Sequence, residues 1–141
     1  MSSICKAKRV DNHEWVIGYH VHDEKDYILE NLAMRVRGTA ELINAHIVES
    51  DTISKYSGYK DKKENPIYEN DILGWFDGFR YIIRYGYFDG PVGLGYYYGL
   101  GFYCERVGYP EHRVPFNVML LYEYEVLGNL FDNKELLEIE K

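Results

Sequence analysis

The stretch ILGWFDGFRYIIRYGYF, Ile72–Phe88, decides how this chain is read. Two apolar runs, Ile72–Phe76 and Phe79–Phe88, flank Asp77-Gly78, a dipeptide favoured by two-residue hairpin turns because both central residues need positive φ. In the second run Tyr81, Ile83, Tyr85 and Tyr87 share a face opposite Arg80, Ile82 and Arg84. One side is therefore aromatic and apolar and the other carries charge, which is the period-two signature of a strand. The spacing predicts a β-hairpin at the centre of a β-rich chain.

Upstream, Cys5–Val10 and Glu14–Val21 read as strands around the polar loop Asp11-Asn12-His13, whose Asn and His tolerate positive φ. Along the second strand Trp15, Ile17, Tyr19 and Val21 alternate with Val16, Gly18, His20 and His22. Asp23–Asp26 makes a turn before a short strand at Tyr27–Leu29. From Glu30 to Ala45 the pattern suits either state and the type stays open. Ser50-Asp51 ahead of Thr52–Tyr56 reads as a capped helical turn ended by Ser57-Gly58. Asp61–Pro66 is wholly polar or turn-forming, the expected exposed loop of a second domain. The expected division is 1–56, a β-rich region, and 57–141.

Downstream, Asp89-Gly90 precedes PVGLGYYYGLGFYC (Pro91–Cys104), in which four glycines interleave with aromatics. A long hairpin or flap is expected from Tyr96 through Tyr103, its rings packing on their own sheet or against another subunit. Strands follow at Arg113–Tyr122 and Glu125–Phe131, and Asp132 or Asn133 caps a last short helix through Leu136, Leu137 and Ile139. Short strands with turns every eight to twelve residues predict a small barrel or sandwich, and no amphipathic crossover helix supports a parallel α/β layout.

The chain has 141 residues, 16 Lys+Arg against 23 Asp+Glu, and a net charge of −7 with histidine neutral. That balance repels a phosphate backbone, so nucleic-acid binding needs a local basic patch. Lys60, Lys62 and Lys63, with Lys55, form the densest one, and Lys6, Lys8 and Arg9 a second; acidic neighbours make a solvated loop the plainer reading of the first. Fifteen tyrosines, six phenylalanines and two tryptophans make 16% of the chain aromatic, a residue class favoured in strands, cores and interfaces. Tyr96, Tyr97, Tyr98, Phe102 and Tyr103 are accordingly the candidate interface residues.

His20 and His22 form an H-x-H on one strand face, close enough for one metal ion, but further ligands are not evident and partly exposed histidines are the expectation. Cys5 and Cys104 lack any CxxC or His/Cys neighbourhood and are expected reduced and partly buried. Gly93, Gly95 and Gly99 are one residue too widely spaced for the dinucleotide fingerprint. No nucleophile motif occurs, and Glu123 with Glu125 is an ordinary same-face pair. No metal, cofactor or catalytic residue is expected. No apolar run approaches the ~20 residues that cross a bilayer, and the opening MSSICKAKRV lacks an apolar signal core. A soluble cytoplasmic protein is the expectation.

Three stretches in order resemble the YopX family of phage and prophage proteins: KAKRVDNHEWVIGYHV (Lys6–Val21), DTISKYSGYKDKKENPIYENDIL (Asp51–Leu73) and EVLGNLFDNKELLE (Glu125–Glu138). His13 and Asn70 stand where that family's pattern has glycine, and Lys134 where it has proline. The resemblance implies a mainly β (α+β) fold: an N-terminal β-rich region over 1–56, then over 57–141 a C-terminal SH3-like small barrel with the Gly/Tyr-rich insert and a short terminal helix. It implies no catalytic residues and no cofactor. The expected function is that of a non-enzymatic phage or prophage accessory protein in the host cytoplasm. It would be a homo-oligomer binding a phage or host protein. The alternative is a nucleic-acid-binding factor using the barrel surface and Lys60, Lys62 and Lys63.

Overall fold

A computed structural model describes residues 4–30, 44–74, 78–92, 95–116 and 123–138, and for residues 90–92 and 95–98 the backbone alone. The chain is mainly β, with two antiparallel sheets, and divides into two compact units, Met1–Tyr56 and Ser57–Lys141. Among the described residues no helix is long and apolar enough to cross a membrane.

The first unit contains β1 (Ile4–Lys8), β2 (Trp15–Asp23), β3 (Lys25–Glu30) and β4 (Asn44–Ile47); β5 (Ser54–Lys60) runs across the division. With β6 (Pro66–Tyr68) the strand order is β4-β3-β2-β1-β5-β6. The first turn forms because His13 takes φ +59° and the Asn12 side chain accepts the Glu14 N–H. Asp23 pairs Lys25, which leaves Glu24 alone at φ +63°. Alternation sends Val16 and Gly18 inward, where Cys5, Ala7, Val16, Ile28 and Val48 form the core. Gly18 is required by close approach, since a Cβ there would strike the Leu29 carbonyl.

The helical turn expected over Thr52–Tyr56 is not formed. A 3₁₀ turn spans only Ser50–Thr52, without a side-chain cap, and Ser54 and Lys55 pair with Lys6 and Cys5 instead. The open edge of β1 offers ladder hydrogen bonds to the chain, and Thr52 reinforces the change by accepting the Lys8 N–H at 2.9 Å.

The second unit has β7 (Asp71–Gly74), β8 (Arg80–Val92), β9 (Gly95–Arg106), β10 (Tyr109–Pro115) and β11 (Glu125–Asn129), in the order β10-β9-β8-β7-β11. Ile67, Leu73, Tyr81, Ile83, Cys104, Phe116 and Tyr124 form its core, and the Tyr81 and Tyr124 rings meet edge to face at 5.6 Å. Both cysteines are free and fully buried, deeper than expected; burial pushes the Cys104 thiol far up, so it stays protonated.

The β7–β8 hairpin exists in a different register. A two-residue loop on Asp77-Gly78 would set Gly74 opposite Tyr81, whereas Gly74 faces Arg80. Gly78 does take φ +84°. The longer loop follows from Leu73 and Tyr81 facing each other on the core side. At the far end β11 stops at Asn129, whose Oδ1 accepts the N–H groups of Phe131 and Asp132. The closing helix is a 3₁₀ segment, Lys134–Leu137, uncapped by Asn133, whose side-chain Oδ1 accepts the Asn129 N–H instead. Ile139 and the 117–122 part of the expected Arg113–Tyr122 strand lie outside the described residues. Residues 31–43 do as well.

Candidate functional site

The Gly/Tyr-rich insert forms the distal half of one long hairpin. The β8–β9 register runs unbroken from Tyr81↔Arg106 to Val92↔Gly95. Among the described residues β7 pairs with β8 over Arg80–Ile82, and β10 with β9 over Tyr103–Arg106. Farther out the two strands pair with each other alone among the described strands, so a two-stranded ribbon extends past its sheet.

The face of this ribbon that begins in the core continues outward uncovered. Tyr81 and Ile83 are buried; Tyr85 packs on Phe102 with ring centroids 4.9 Å apart; then Tyr87 and Leu100, paired across the strands, are 64% and 67% exposed. On the opposite face Arg84 lies 3.7 Å from Glu105, and the rings of Phe88 and Tyr103 meet at 4.8 Å on either side of the Gly86–Gly101 pair. Phe102 and Tyr103 thus spend much of their ring area on their own chain. Tyr96, Tyr97 and Tyr98 pair through their backbones with Pro91, Gly90 and Asp89, and their side chains lie outside the described residues. Sequence reasoning missed Tyr87 and Leu100 as the exposed pair. The signal was present, since both lie two residues beyond core-facing positions on the same faces.

The lysine loop has a different character. Lys63 reaches Glu125 at 2.8 Å, Lys62 lies 3.8 Å from Glu123 and 3.9 Å from Glu125, and Lys60 is 3.9 Å from Glu64. Glu125 holds the Lys63 ammonium above its ordinary pKa. Beneath them the loop expected to be wholly exposed buries Asp61, whose carboxylate accepts the N–H groups of Lys63, Asn65 and Val126 and the Asn65 amide. Burial raises the Asp61 pKa, but these donors outweigh it and leave the carboxyl below its usual range. Asp61 therefore ties the loop to β11.

In the first unit His20 Nε2 and His22 Nδ1 converge on one oxygen of Asp26, at 2.7 and 3.0 Å, while Ser50 donates to the other. The Ser50 hydroxyl first, then the two imidazoles, hold the Asp26 carboxyl far below its ordinary range. On the same face His46 Nε2 sits 3.2 Å from Glu30 without hydrogen-bond geometry. Among the described residues no group of three or more His, Cys, Asp or Glu side chains has the arrangement of a metal centre. Asp26 was not singled out by sequence, because the β2–β3 turn that brings it under His22 sets the contact.

The family model described as YopX protein matches residues 6–138, and the chain belongs to that family. A search of curated proteins finds no significant match.

Proposed function

We propose that this YopX-family chain is a non-enzymatic accessory protein of phage or prophage origin. It works in the cytoplasm of the host bacterium, self-associates, and binds other proteins through the outer half of the β8–β9 ribbon. The second unit, in this reading, is a small SH3-like barrel whose ribbon is an elaboration of one hairpin.

The observation that carries the reading is the ribbon itself: the core-facing stripe runs out along it to Tyr87 and Leu100, both mostly exposed. Residues 85–102 hold one charged side chain, Asp89, in a chain that is 28% charged. Copies of a chain of net charge −7 repel one another overall, and a surface where charge is sparse adds least to that repulsion; this is such a place. Lone two-stranded ribbons are marginally stable in water, and edge strands with apolar side chains recruit further strands.

Size-exclusion chromatography with light scattering tests it. The expected result is a mass that is a multiple of 16.7 kDa and returns to the single-chain value in the Tyr87→Lys, Leu100→Lys variant. A wild-type protein of single-chain mass at high concentration overturns it.

A further inference from the structure

The outward face of β1–β2–β3 is a second surface, independent of the ribbon. Strand register places Lys6 and Lys8 of β1 beside Ile17 and Trp15 of β2, Tyr19 beside Leu29, and Val21 beside Tyr27. All these side chains share one face, because directly paired residues of an antiparallel ladder point the same way. Ile17 is 53% exposed and Val21 40%, while Trp15, Tyr19 and Tyr27 are half-buried. The ammonium groups of Lys6 and Lys8 lie 4.8 and 5.5 Å from the Trp15 ring centroid, so cations and an indole already share one patch.

Charge is sorted between the two faces of this sheet. The described side chains at the paired positions of the outward face include Lys6, Lys8 and Lys25 against the single carboxylate Asp23; Asp26 and Glu30 occupy the reverse face with His20, His22 and His46. A chain that is acidic overall thus presents a locally basic, aromatic sheet surface. A cleft of about 330 Å³, whose lining includes Arg9, Asp11, Lys25 and His46, lies where β3 and β4 meet the first turn; Arg9 there is paired with Asp11 at 2.6 Å.

We propose that this face binds single-stranded nucleic acid. Bases stack on Trp15, Tyr19 and Tyr27, and Lys6, Lys8 and Lys25 hold the phosphates. Trp15 and Tyr19, four residues apart on one face of β2, lie about 13.6 Å apart along it, the span of two nucleotide steps in an extended single strand. Base stacking on aromatic rings tolerates any sequence, so the preference is for single-strandedness and not for a base order. A second copy of this chain is a poor occupant, since a two-fold contact would set its lysines against identical lysines. An acidic polypeptide shares the charge but not the stacking. This site uses neither Lys60, Lys62 and Lys63 nor the ribbon.

The test is fluorescence anisotropy of a labelled 20-mer oligothymidylate titrated with the full chain, alongside tryptophan emission. The expected result is binding at low salt with tryptophan quenching, and a logarithmic salt slope of about −2 for three phosphate contacts. Lys6→Glu with Lys8→Glu should weaken binding at least tenfold, and Lys25→Glu several-fold. Trp15→Phe should remove the emission change. The triple Lys60→Glu, Lys62→Glu, Lys63→Glu variant and the Tyr87→Lys, Leu100→Lys variant should bind as wild type, which separates this site from the assembly reading. Should the Lys6, Lys8 double variant not fold, Lys25→Glu and the Trp15→Phe emission readout still decide. Absence of binding at low salt overturns the proposal. So does equal binding of polyglutamate, which would make the partner an acidic protein, or loss of binding only in the Lys60, Lys62, Lys63 variant.

Discussion

Asp26 in the first unit and Asp61 in the second both gather several donors, and the two differ in where those donors come from. Asp61 is served mainly by backbone N–H groups, those of Lys63, Asn65 and Val126. Asp26 is served by side chains, those of His20, His22 and Ser50. Backbone donors cannot leave when the carboxylate does, so losing Asp61 strands them in a partly buried loop. Side-chain donors can rotate to water. One carboxylate is thus a staple of the fold, and the other a polar cluster on a sheet face.

The largest effect that would break this comparison belongs to Asp61. Asp61→Ala should cost about 3–4 kcal/mol, from three orphaned N–H groups at ~1 kcal/mol or more each, read as a lower urea midpoint of unfolding. A cost below about 1 kcal/mol would show that water replaces the carboxylate freely.

Next is Gly18→Ala, which forces a methyl group against the Leu29 carbonyl between two paired strands. A cost of about 2–3 kcal/mol is expected because backbone, unlike a side-chain tip, cannot yield cheaply. Thermal melting checks it, and a neutral outcome would mean that β2 and β3 can separate locally.

Asp26→Asn should cost less than Asp61→Ala and should alter the acid limb of stability. Both carboxyls lie below the ordinary value of 3.8 in the folded chain. At acid pH the unfolded chain therefore binds more protons, and stability rises with pH through that window. Their contribution is complete above about pH 5 and is lost as pH falls through the depressed values. Urea unfolding between pH 2 and 5 should show a shallower pH dependence in Asp26→Asn; an unchanged profile would remove Asp26 from the account.

The smallest effects concern the two turns. His13 at φ +59° and Asn70 at φ +72° occupy a conformation that glycine adopts without strain. His13→Gly should gain up to about 1 kcal/mol, less the ion pair with Glu49 at 3.0 Å. Asn70→Gly should lie within about 0.5 kcal/mol of wild type, since asparagine tolerates that region best. Calorimetry of the two variants sharpens the contrast; a large loss in either would show that its side chain carries more than a turn.

Much of the strand content was legible because alternation is local. Trp15–Val21 and Phe79–Phe88 declare themselves by period, and Asn12-His13 marks its turn. The misreadings share one cause. Thr52–Tyr56 resembles a capped helical turn until β1 presents an edge to be paired, and Asp77-Gly78 resembles a two-residue loop until Leu73 and Tyr81 must face each other in the core. The candidate interface was legible as composition but not as exposure. Phe102 and Tyr103 pack on Tyr85 and Phe88, whereas Tyr87 and Leu100 stand outward.

From the sequence alone came the mainly β character, the family and the sorting of residues onto strand faces, because each follows from neighbours two positions apart or from motifs in order. Which face is buried, which carboxylate is a staple and which ring is exposed were decided only in the tertiary structure. Those properties depend on what lies across a ladder, such as Val126 on Asp61 or Leu29 on Gly18, and partners so distant along the chain leave no periodic mark in it.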